Sequence, residues 1–510
     1  MNAPTGMAES YWMDSTGPTA YPRVTEDIDA DVAVIGGGIA GLCCAWEIAA
    51  TGRSVTVLEA DRIVSGTTGY TTAKGSAQHT LVYDSLRSSF DADTARLYAR
   101  SQQDAVEHLV RTATELGIDC ELERAPAYTY VTSPDEVATI RAEVAAADEA
   151  GLPASLVTET GLPCPVAAAI RVDDQVQFHP RRYLLGLAEN LIRAGGAIFE
   201  RTRVVGLDEG DPCRLTTEHG ATVRARDVVV ATHYPIFDRA LLFTRLQPRR
   251  ELAVAGPLAS GADPHGMYIT PEENTRSVRT APYGDGRRLL IVTGEHMRPG
   301  VGSTADAADR LAGWALTQFP VDSLDYHGGA QDNTTTDGLP YIGRFHPGAR
   351  HVYVSTGFGG WGMTHGIMGG RLLAAELTGD PLPWAEIYDP RRLHPGTETG
   401  TLLKAGLEVG RHLIGDRLAP STYVDSAADL APGNGAVMRR SGRRSAVYRD
   451  HDGRLHAVSA VCTHLGCVVA FNDAETSWDC PCHGSRFDID GTVLEGPATT
   501  ALDPVEPDHD

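Results

Sequence analysis

Two cysteines and two histidines near the end of the chain have the spacing of metal ligands. Cys462 and His464 form a C-x-H pair, and Cys480 and His483 form a C-x-x-H pair. Two thiolates and two imidazoles are the ligand set of a [2Fe-2S] centre in which cysteines hold one iron and histidines hold the other. A structural zinc site also uses two cysteines and two histidines, but it normally places like ligands in like pairs. The mixed pairs therefore favour an iron–sulfur cluster over zinc.

The segment that carries these ligands resembles Rieske proteins, and the likeness extends beyond the ligands themselves. It implies that the two cysteines and two histidines bind iron, and that Cys467 pairs with Cys482 in a disulfide that ties the ligand loops together. Ser485 matches the family's serine, which donates a hydrogen bond to a cluster sulfur, whereas Phe487 stands where the highest-potential members carry a tyrosine. Because hydrogen bonds to sulfur tune the potential, we expect a value within roughly −150 to +300 mV but below the top of that range.

The composition limits the classes of protein to consider. A chain of 510 residues is too long for one core and suggests roughly two to four domains. Lysine and arginine total 44 against 67 for aspartate and glutamate, a formal net charge of −23, which argues against nucleic acid or an anionic membrane surface as a partner. Residues 1–30 form a polar lead without a signal-peptide core, and no later stretch is long and uncharged enough to span a bilayer. We therefore expect a cytoplasmic protein without an integral membrane segment.

A glycine-rich motif near the start of the chain predicts a nucleotide site. Residues 31–41, DVAVIGGGIAG, run from an apolar strand through a turn into a helix, and SVTVLE then completes a βαβ unit. In this dinucleotide fingerprint Gly36 makes the tight turn, Gly38 lets the backbone approach a pyrophosphate, and Gly41 allows close packing of the helix on the strand. Glu59 follows by about 20 residues, which suits a carboxylate that accepts from ribose hydroxyls. The fingerprint alone does not distinguish FAD from NAD.

The loop that follows, SGTTGYTTAK, consists largely of small and hydroxyl-bearing residues. Here the chain resembles FAD-dependent oxidoreductases of the D-amino-acid oxidase and sarcosine or dimethylglycine dehydrogenase type. The resemblance implies that Thr67 and Thr68 contact the cofactor and that the backbone at Val204 contacts its adenine. Some members attach FAD covalently through a histidine in this loop, and Tyr70 aligns with it, which argues against covalent attachment by that route.

A second glycine segment favours FAD over NAD. Residues 357–366, GFGGWGMTHG, follow an apolar strand and open another helix. In the resembling enzymes the positive end of this helix faces the electron-rich edge of the flavin and stabilises its reduced form. The resemblance therefore adds Gly359, Gly360, Met363 and Thr364 to the cofactor-binding candidates.

The predicted architecture is an α/β Rossmann-type FAD-binding domain with an α+β substrate domain, plus a C-terminal all-β Rieske domain. The flavoprotein part spans 31–395, with FAD-binding segments at about 31–90, 175–250 and 331–380 and substrate-domain segments at about 91–174 and 251–330. A linker helix is predicted at 396–420, and the Rieske domain at 421–510.

The sequence assigns no residue to catalysis. In the resembling enzymes the inner face of the substrate-domain sheet covers the flavin ring, which makes Arg279, Tyr283, His296 and Tyr326 candidates for that face. His233 follows a buried strand and is predicted to be a loop or core histidine.

One further histidine pair suggests an alternative metal site. His346 and His351 form an H-x-x-x-x-H pair of the kind that holds mononuclear iron in aromatic-ring oxygenases. The pair lies in a Pro-Gly loop, and Gly343 occupies the place of the acid that those oxygenases carry. We therefore predict a turn before a strand rather than an iron site.

The leading functional hypothesis is an enzyme that oxidises a C–N bond of an amino acid or amine with FAD and passes electrons singly through the cluster to an external acceptor. A fused one-electron carrier suits a dehydrogenase better than an oxidase. Two alternatives stay open: an electron-transfer or redox-sensing protein without substrate turnover, and a flavin reductase or monooxygenase fed by the cluster. A carboxylate-binding arginine over the flavin would favour the enzyme. A closed or absent substrate cavity would favour the electron-transfer or redox-sensing protein.

Overall fold

Two large β-sheets with flanking helices, followed by two small sheets, make up the described part of the chain. The computed structural model describes residues 7–272, 274–394, 429–440 and 443–506. The predicted linker helix at 396–420 lies outside these residues. Within them, no helix combines the length and the apolar character needed to cross a bilayer.

The helices and strands before residue 395 have the following bounds. The helices are α1 (Tyr11–Asp14), α2 (Ile39–Ala49), α3 (Val82–Ser89), α4 (Ala92–Glu115), α5 (Val137–Glu149), α6 (Pro180–Arg193), α7 (Thr304–Gln318), α8 (Gly362–Thr378) and α9 (Ala385–Tyr388). The strands are β1 (Ile28–Ile35), β2 (Val55–Leu58), β3 (Lys74–Gly75), β4 (Glu123–Val131), β5 (Ala154–Val157), β6 (Ala168–Gln177), β7 (Ala197–Phe199), β8 (Val204–Asp208), β9 (Cys213–Thr217), β10 (Thr222–Val230), β11 (Leu246–Leu258), β12 (Met267–Ile269), β13 (Arg276–Tyr283), β14 (Arg287–Met297), β15 (Tyr326–Thr335), β16 (Tyr341–Arg344) and β17 (Val352–Thr356).

The first large sheet contains the predicted βαβ unit. Its strands follow the order β16, β17, β10, β1, β2 and β7, and every pair from β17 to β7 is parallel. Central side chains such as Val34 and Val57 are fully buried, as expected where helices cover both faces of a parallel sheet. Helix α2 begins at Ile39 rather than at the predicted Leu42, because Gly38 already completes the turn and caps the helix.

Two glycines let α8 cross α2 in close contact. A Cβ on Gly370 would lie 2.8 Å from the Cys43 carbonyl carbon, and a Cβ on Gly366 would lie 2.8 Å from the Ile39 side chain. Because Ile39 is the first residue of α2 and Gly366 is in the second turn of α8, the N-terminal ends of the two helices lie near each other. Their partial positive charges therefore add.

The second large sheet draws most of its strands from the segments predicted for the substrate domain, but it also includes β3 and the end of β15, which were assigned to FAD-binding segments. Its strands follow the order β15, β11, β14, β13, β12, β4, β6 and β3, with β5 paired to β6. All of these pairs are antiparallel except β12 with β4. Helix α7, predicted at 305–319, packs on β11 and β14.

The described residues of the polar lead, from Met7 onward, pack against this body. Trp12 is only 2% exposed and donates its indole N–H to the Thr71 carbonyl oxygen at 2.7 Å. Met7 pairs with Tyr326 at the edge of the second sheet. Apolar residues within a mostly polar segment thus anchor it to the core.

The described residues of the C-terminal domain form strands and loops, in agreement with the predicted all-β fold. Its strands are β18 (Gly435–Arg440), β19 (Arg443–Arg449), β20 (Leu455–Ser459), β21 (Ala470–Asn472), β22 (Ser477–Asp479), β23 (Arg486–Phe487) and β24 (Val493–Glu495). Strands β18 to β20 form one antiparallel sheet and β21 to β24 form another. Trp478 and Phe487 are fully buried in a core cluster that also contains Cys462 and Cys480.

Candidate cofactor sites and substrate pocket

The two loops of the C-terminal domain bring the four predicted cluster ligands together. The Cys462 and Cys480 side chains are close enough that each displaces the pKa of the other, and both cysteines are free. The His464 and His483 rings lie 4.9 Å apart and nearly perpendicular, and the Nδ1 atom of each is buried without a hydrogen-bond partner in the described part of the chain. Two thiols and two partnerless imidazole nitrogens fit a [2Fe-2S] cluster.

The residues around these ligands also match the Rieske pattern. Cys467 and Cys482 form the predicted disulfide, so their sulfurs are not available as ligands although they lie within 4.8 Å of that of Cys480. The Ser485 hydroxyl helps to lower the pKa of Cys462 and accepts from the Ala498 amide at 3.0 Å. Burial, with the neighbouring imidazole, lowers the pKa of His483 to about 3 and keeps this ring in the neutral form that binds metal.

A cavity of about 770 Å³ holds most of the predicted FAD-binding residues. Eight of them line it, namely Gly36, Gly38, Glu59, Thr67, Thr68, Val204, Gly360 and Met363. The other three lie elsewhere: Gly41 packs α2 against the Gly36 carbonyl, Gly359 lines a second cavity, and the buried Thr364 donates to the Ser76 carbonyl oxygen at 3.3 Å.

The nucleotide end of this cavity has the features that a dinucleotide requires. Gly36 has φ of 106°, and a Cβ there would collide with the Ala231 carbonyl oxygen, so the turn needs glycine. The Glu59 carboxylate accepts from the Gly37 amide at 2.7 Å and from the Asp61 amide at 2.9 Å. Burial raises the pKa of Glu59 despite these hydrogen bonds. A glycine-lined cradle with a positioned carboxylate fits FAD.

A second cavity, of about 410 Å³, lies between the second sheet and the glycine segment before α8. It is lined mainly by polar side chains, and its charged or titratable residues are Lys74, Arg249, Glu251, Glu272 and His296. Gly360 lines both cavities, so they share a wall at the predicted flavin segment. This arrangement places a small polar chamber next to the cofactor cavity.

Two charged groups of the second cavity, Lys74 and Glu251, have displaced pKa values. Burial lowers the pKa of Lys74 to about 8. Burial opposes ionisation of Glu251, but the hydrogen bond and charge of His296 and a hydrogen bond from Thr293 outweigh it and lower its pKa to about 2. His296 Nε2 lies 3.4 Å from Glu251 Oε1, and the Thr293 hydroxyl donates to the same oxygen at 2.6 Å. The chamber therefore carries both a carboxylate and cationic groups.

Of the four substrate-domain candidates, only His296 lines this chamber. Arg279 is buried and donates to the backbone carbonyl oxygens of residues 72, 73 and 178, so it supports the loop rather than facing the flavin. Tyr326 donates to Asp14 at 2.8 Å, and the Tyr283 ring lies 5.7 Å from that of Tyr11. The packing of residues 11–14 against the sheet, which the sequence pattern does not show, occupies these side chains.

The remaining predictions concern three histidines outside the chamber, His346, His351 and His233. His346 Nε2 binds Glu209 at 2.9 Å, whereas His351 Nδ1 binds Asp227 at 2.9 Å, so the two rings face different carboxylates and the described residues form no three-ligand group around them. His233 follows β10 with φ of 64° and lines the cofactor cavity rather than the core.

Comparison with known proteins identifies the family. The profile described as FAD dependent oxidoreductase matches residues 31–376. The chain belongs to this family. Residues 421–506 of this FAD-dependent oxidoreductase match the Rieske [2Fe-2S] domain. The flavoprotein body and the fused cluster domain predicted from the sequence are therefore confirmed, and the protein binds FAD and a [2Fe-2S] cluster.

Relatives of the oxidoreductase share one or both parts. A Bacillus subtilis protein, YhfW, named as a Rieske 2Fe-2S iron-sulfur protein, is 32% identical over 502 residues, covering 98% of each chain. The gamma-glutamylputrescine oxidoreductase of Escherichia coli is 25% identical over 447 residues, covering 81% of this chain and 99% of its own. The crystal structure of glycine oxidase from Geobacillus kaustophilus has a TM-score of 0.60 at 20% identity and covers 72% of this chain and 99% of its own, which shows a shared fold.

Sequence reasoning missed four charged residues of the oxidoreductase's second cavity: Lys74, Arg249, Glu251 and Glu272. A signal for two of them exists, because Arg249 and Glu251 are two residues apart and so point to the same face of β11. Lys74 ends the loop quoted for flavin contact, but only the pairing of β3 with β6 shows where it lies.

Proposed function

We propose that this oxidoreductase dehydrogenates a C–N bond of an amino acid or amine and delivers the electrons singly, through its cluster, to an external acceptor. The observation that carries the proposal is the polar chamber that shares Gly360 with the cofactor cavity. A chamber of about 410 Å³ has room for a small polar substrate. When bound, FAD supplies a hydride acceptor for the carbon next to nitrogen, and the cluster supplies a one-electron carrier.

Lys74 and Arg249 are the proposed anchors for an anionic group of the substrate. The Lys74 ammonium is buried and donates to neutral oxygens, the Ser277 hydroxyl and the Tyr268 carbonyl at 3.3 Å. Because the hydrogen-bond acceptors of this buried ammonium are neutral, an anion in the adjoining chamber would stabilise its charge strongly. Arg249 approaches the Gly359 carbonyl oxygen at 3.5 Å, beside the shared wall. A substrate carboxylate held here would orient the neighbouring C–N bond toward that wall.

His296 and Glu251 are the proposed proton-accepting pair. An ammonium must lose a proton before its neighbouring carbon can give up hydride, because the lone pair on nitrogen drives that transfer. When His296 is neutral and its Nε2–H points to the ionised Glu251, its Nδ1 atom carries the lone pair that accepts this proton. The Glu251 carboxylate then stabilises the imidazolium.

The test is an anaerobic visible spectrum of the holoprotein mixed with a panel of amino acids and secondary amines, each paired with the same amine lacking its carboxylate. We expect at least one amino acid to bleach the flavin band and its decarboxylated partner to react more slowly. Arg249→Met should remove that difference, and Arg96→Met, at an exposed position on α4, should retain it. The proposal is wrong if no compound bleaches the flavin while a reduced carrier protein reduces the cluster, because the protein would then be a relay.

A further inference from the structure

The histidine edge of the cluster site faces the flavoprotein body instead of solvent. The His464 side chain is 7% exposed, and its Nε2 lies 3.4 Å from an Asp238 carboxylate oxygen. The His483 ring lies 6.1 Å from the Tyr234 ring and 5.7 Å from the Phe243 ring. These three partners belong to the segment after β10, and Tyr234 also lines the cofactor cavity.

One residue joins the two cofactor regions directly. Gln331, on β15, is 1% exposed. Its main-chain carbonyl accepts from the Thr67 hydroxyl at 3.0 Å, and its side-chain amide donates to the Gly484 carbonyl oxygen at 3.0 Å. Thr67 belongs to the predicted flavin loop, and Gly484 follows the cluster ligand His483. Gln331 thus forms a hydrogen-bonded bridge between the loop proposed to hold the flavin and the loop that holds the cluster.

We propose that the flavoprotein body is the electron-exchange partner of the cluster's histidine edge, and that Gln331 positions the two sites for direct transfer. The inference rests on the proposed function only in requiring both cofactors. Each transfer oxidises the reduced flavin by one electron and reduces the cluster by one electron. A one-electron acceptor reoxidises the cluster between the two transfers, so that both electrons of the substrate leave the protein.

Charged contacts on the same interface hold the two parts in one arrangement. Arg250 of β11 has a side chain 1% exposed and pairs with Glu475, and its Nη1 lies 3.9 Å from Glu495. Arg486 of the cluster domain binds the same two carboxylates. Because the interface buries one of these arginines almost completely, separating the two parts would leave charges that have lost their partners.

Another contact between the two parts joins α7 to the cluster domain. The Asp473 carboxylate accepts from the amides of Thr304 and Ala305 at 2.9 and 3.0 Å and from the Ser303 hydroxyl at 2.7 Å. A carboxylate at a helix N-terminus satisfies free amides and interacts favourably with the helix dipole. The cluster domain is therefore attached at several separate points around the cofactor cavity.

The experiment is flash photoreduction of the anaerobic holoprotein with 5-deazariboflavin as the photochemical donor, so that no substrate is needed. The absorbance changes of the flavin and of the cluster are followed in the wild type, Gln331→Ala and Gln331→Met. The methionine variant keeps the side-chain volume and loses the amide. Gln318→Ala, at the end of α7, is the matched control because Gln318 lines neither cavity.

We expect first-order exchange between flavin and cluster in the wild type, at a rate independent of protein concentration. Both Gln331 variants should slow it at least tenfold, with unchanged FAD and iron content and an unchanged cluster midpoint potential in an EPR-monitored titration. The control should match the wild type. A wild-type rate that rises with protein concentration, or variants that exchange electrons at the wild-type rate, would overturn the inference. Neither result depends on which amine or amino acid bleaches the flavin. This inference and the proposed function can therefore be contradicted independently of each other.

Discussion

The cluster site and the flavin–substrate region are built in opposite ways. All four proposed cluster ligands, the disulfide and the hydrogen-bonding serine lie within residues 462–485, in two loops of one small domain. The residues that line the cofactor cavity and the polar chamber come from segments between residues 8 and 499 and from both large sheets. A local site depends on two loops, whereas a dispersed site depends on the packing of the whole body. Substitutions in one region should therefore leave the other region unchanged.

The largest expected effect is loss of the cluster without loss of FAD. Cys462→Ser removes a thiolate that the cluster needs, so the iron content should fall to background while the flavin spectrum persists. Iron analysis and the visible spectrum of the purified variant measure both. Cys164→Ser, a free cysteine outside both sites, should keep its iron. Loss of FAD together with the iron would show that the regions are not separable.

Removal of the disulfide should weaken the cluster domain by an intermediate amount. Cys467 and Cys482 are separated by 15 residues. Closing a loop of this length contributes about 3 kcal/mol by restricting the unfolded chain. The double variant Cys467→Ser/Cys482→Ser should lower the free energy of unfolding by about this amount, measured by denaturant titration followed at the cluster absorbance. An unchanged unfolding midpoint of the cluster signal would contradict this expectation.

In the dispersed region, Glu251→Gln should slow reduction of the flavin by the substrate from the panel by roughly 100-fold. The neutral amide no longer stabilises the positive charge that His296 gains when it accepts the substrate proton. The loss should therefore shrink at high pH, where the substrate amine is already deprotonated and needs no proton acceptor. Stopped-flow bleaching of the flavin across the pH range measures the effect, and the cluster EPR spectrum should not change. Glu272→Gln is the control, since Glu272 lines the same chamber but accepts from the Thr132 amide at 3.0 Å. An equal loss in both variants would rule out the proton-accepting pair.

The smallest expected effect is a pH dependence of anion binding. Burial lowers the pKa of Lys74 to about 8, so above that pH the unliganded ammonium loses its proton. Because an anion binds the protonated form, the Kd of a non-oxidisable carboxylate analogue should rise by roughly tenfold per pH unit above this point. Fluorescence of Trp361, which lines the chamber, reports binding. Lys74→Met should bind more weakly and should lose this pH dependence, and a persistent dependence would show that another group causes it.

This contrast also explains how much was predictable from the sequence. The cluster ligands and the Gly36, Gly38 and Gly41 turn are short-range patterns whose chemistry depends on neighbours along the chain, and the helices and strands around them formed with small shifts in their ends. The chamber was not predictable, because its charged side chains meet only through pairings such as β11 with β14 and β3 with β6. Arg279 shows the same limit: its role depends on the carbonyl oxygens of residues 72, 73 and 178, which are distant in sequence.

Sequence patterns likewise do not predict the contact between the two regions. Nothing local to Gln331 indicates that its amide reaches Gly484, more than 150 residues away, or that Arg250 pairs with Glu475. Both contacts depend on how two separately folded parts pack. The sequence establishes that both cofactor types are present, and the structure adds the arrangement by which they are joined.

The central claim is that substrate electrons enter at the flavin and leave through the cluster of the same chain. The most direct measurement is anaerobic rapid mixing of the holoprotein with the compound that bleaches the flavin most strongly, with the flavin and cluster bands followed in one trace. The flavin should bleach first, at a rate that depends on substrate concentration, and the cluster should follow at a rate that does not. Reduction of the cluster before the flavin, or of the flavin alone, would contradict the central claim.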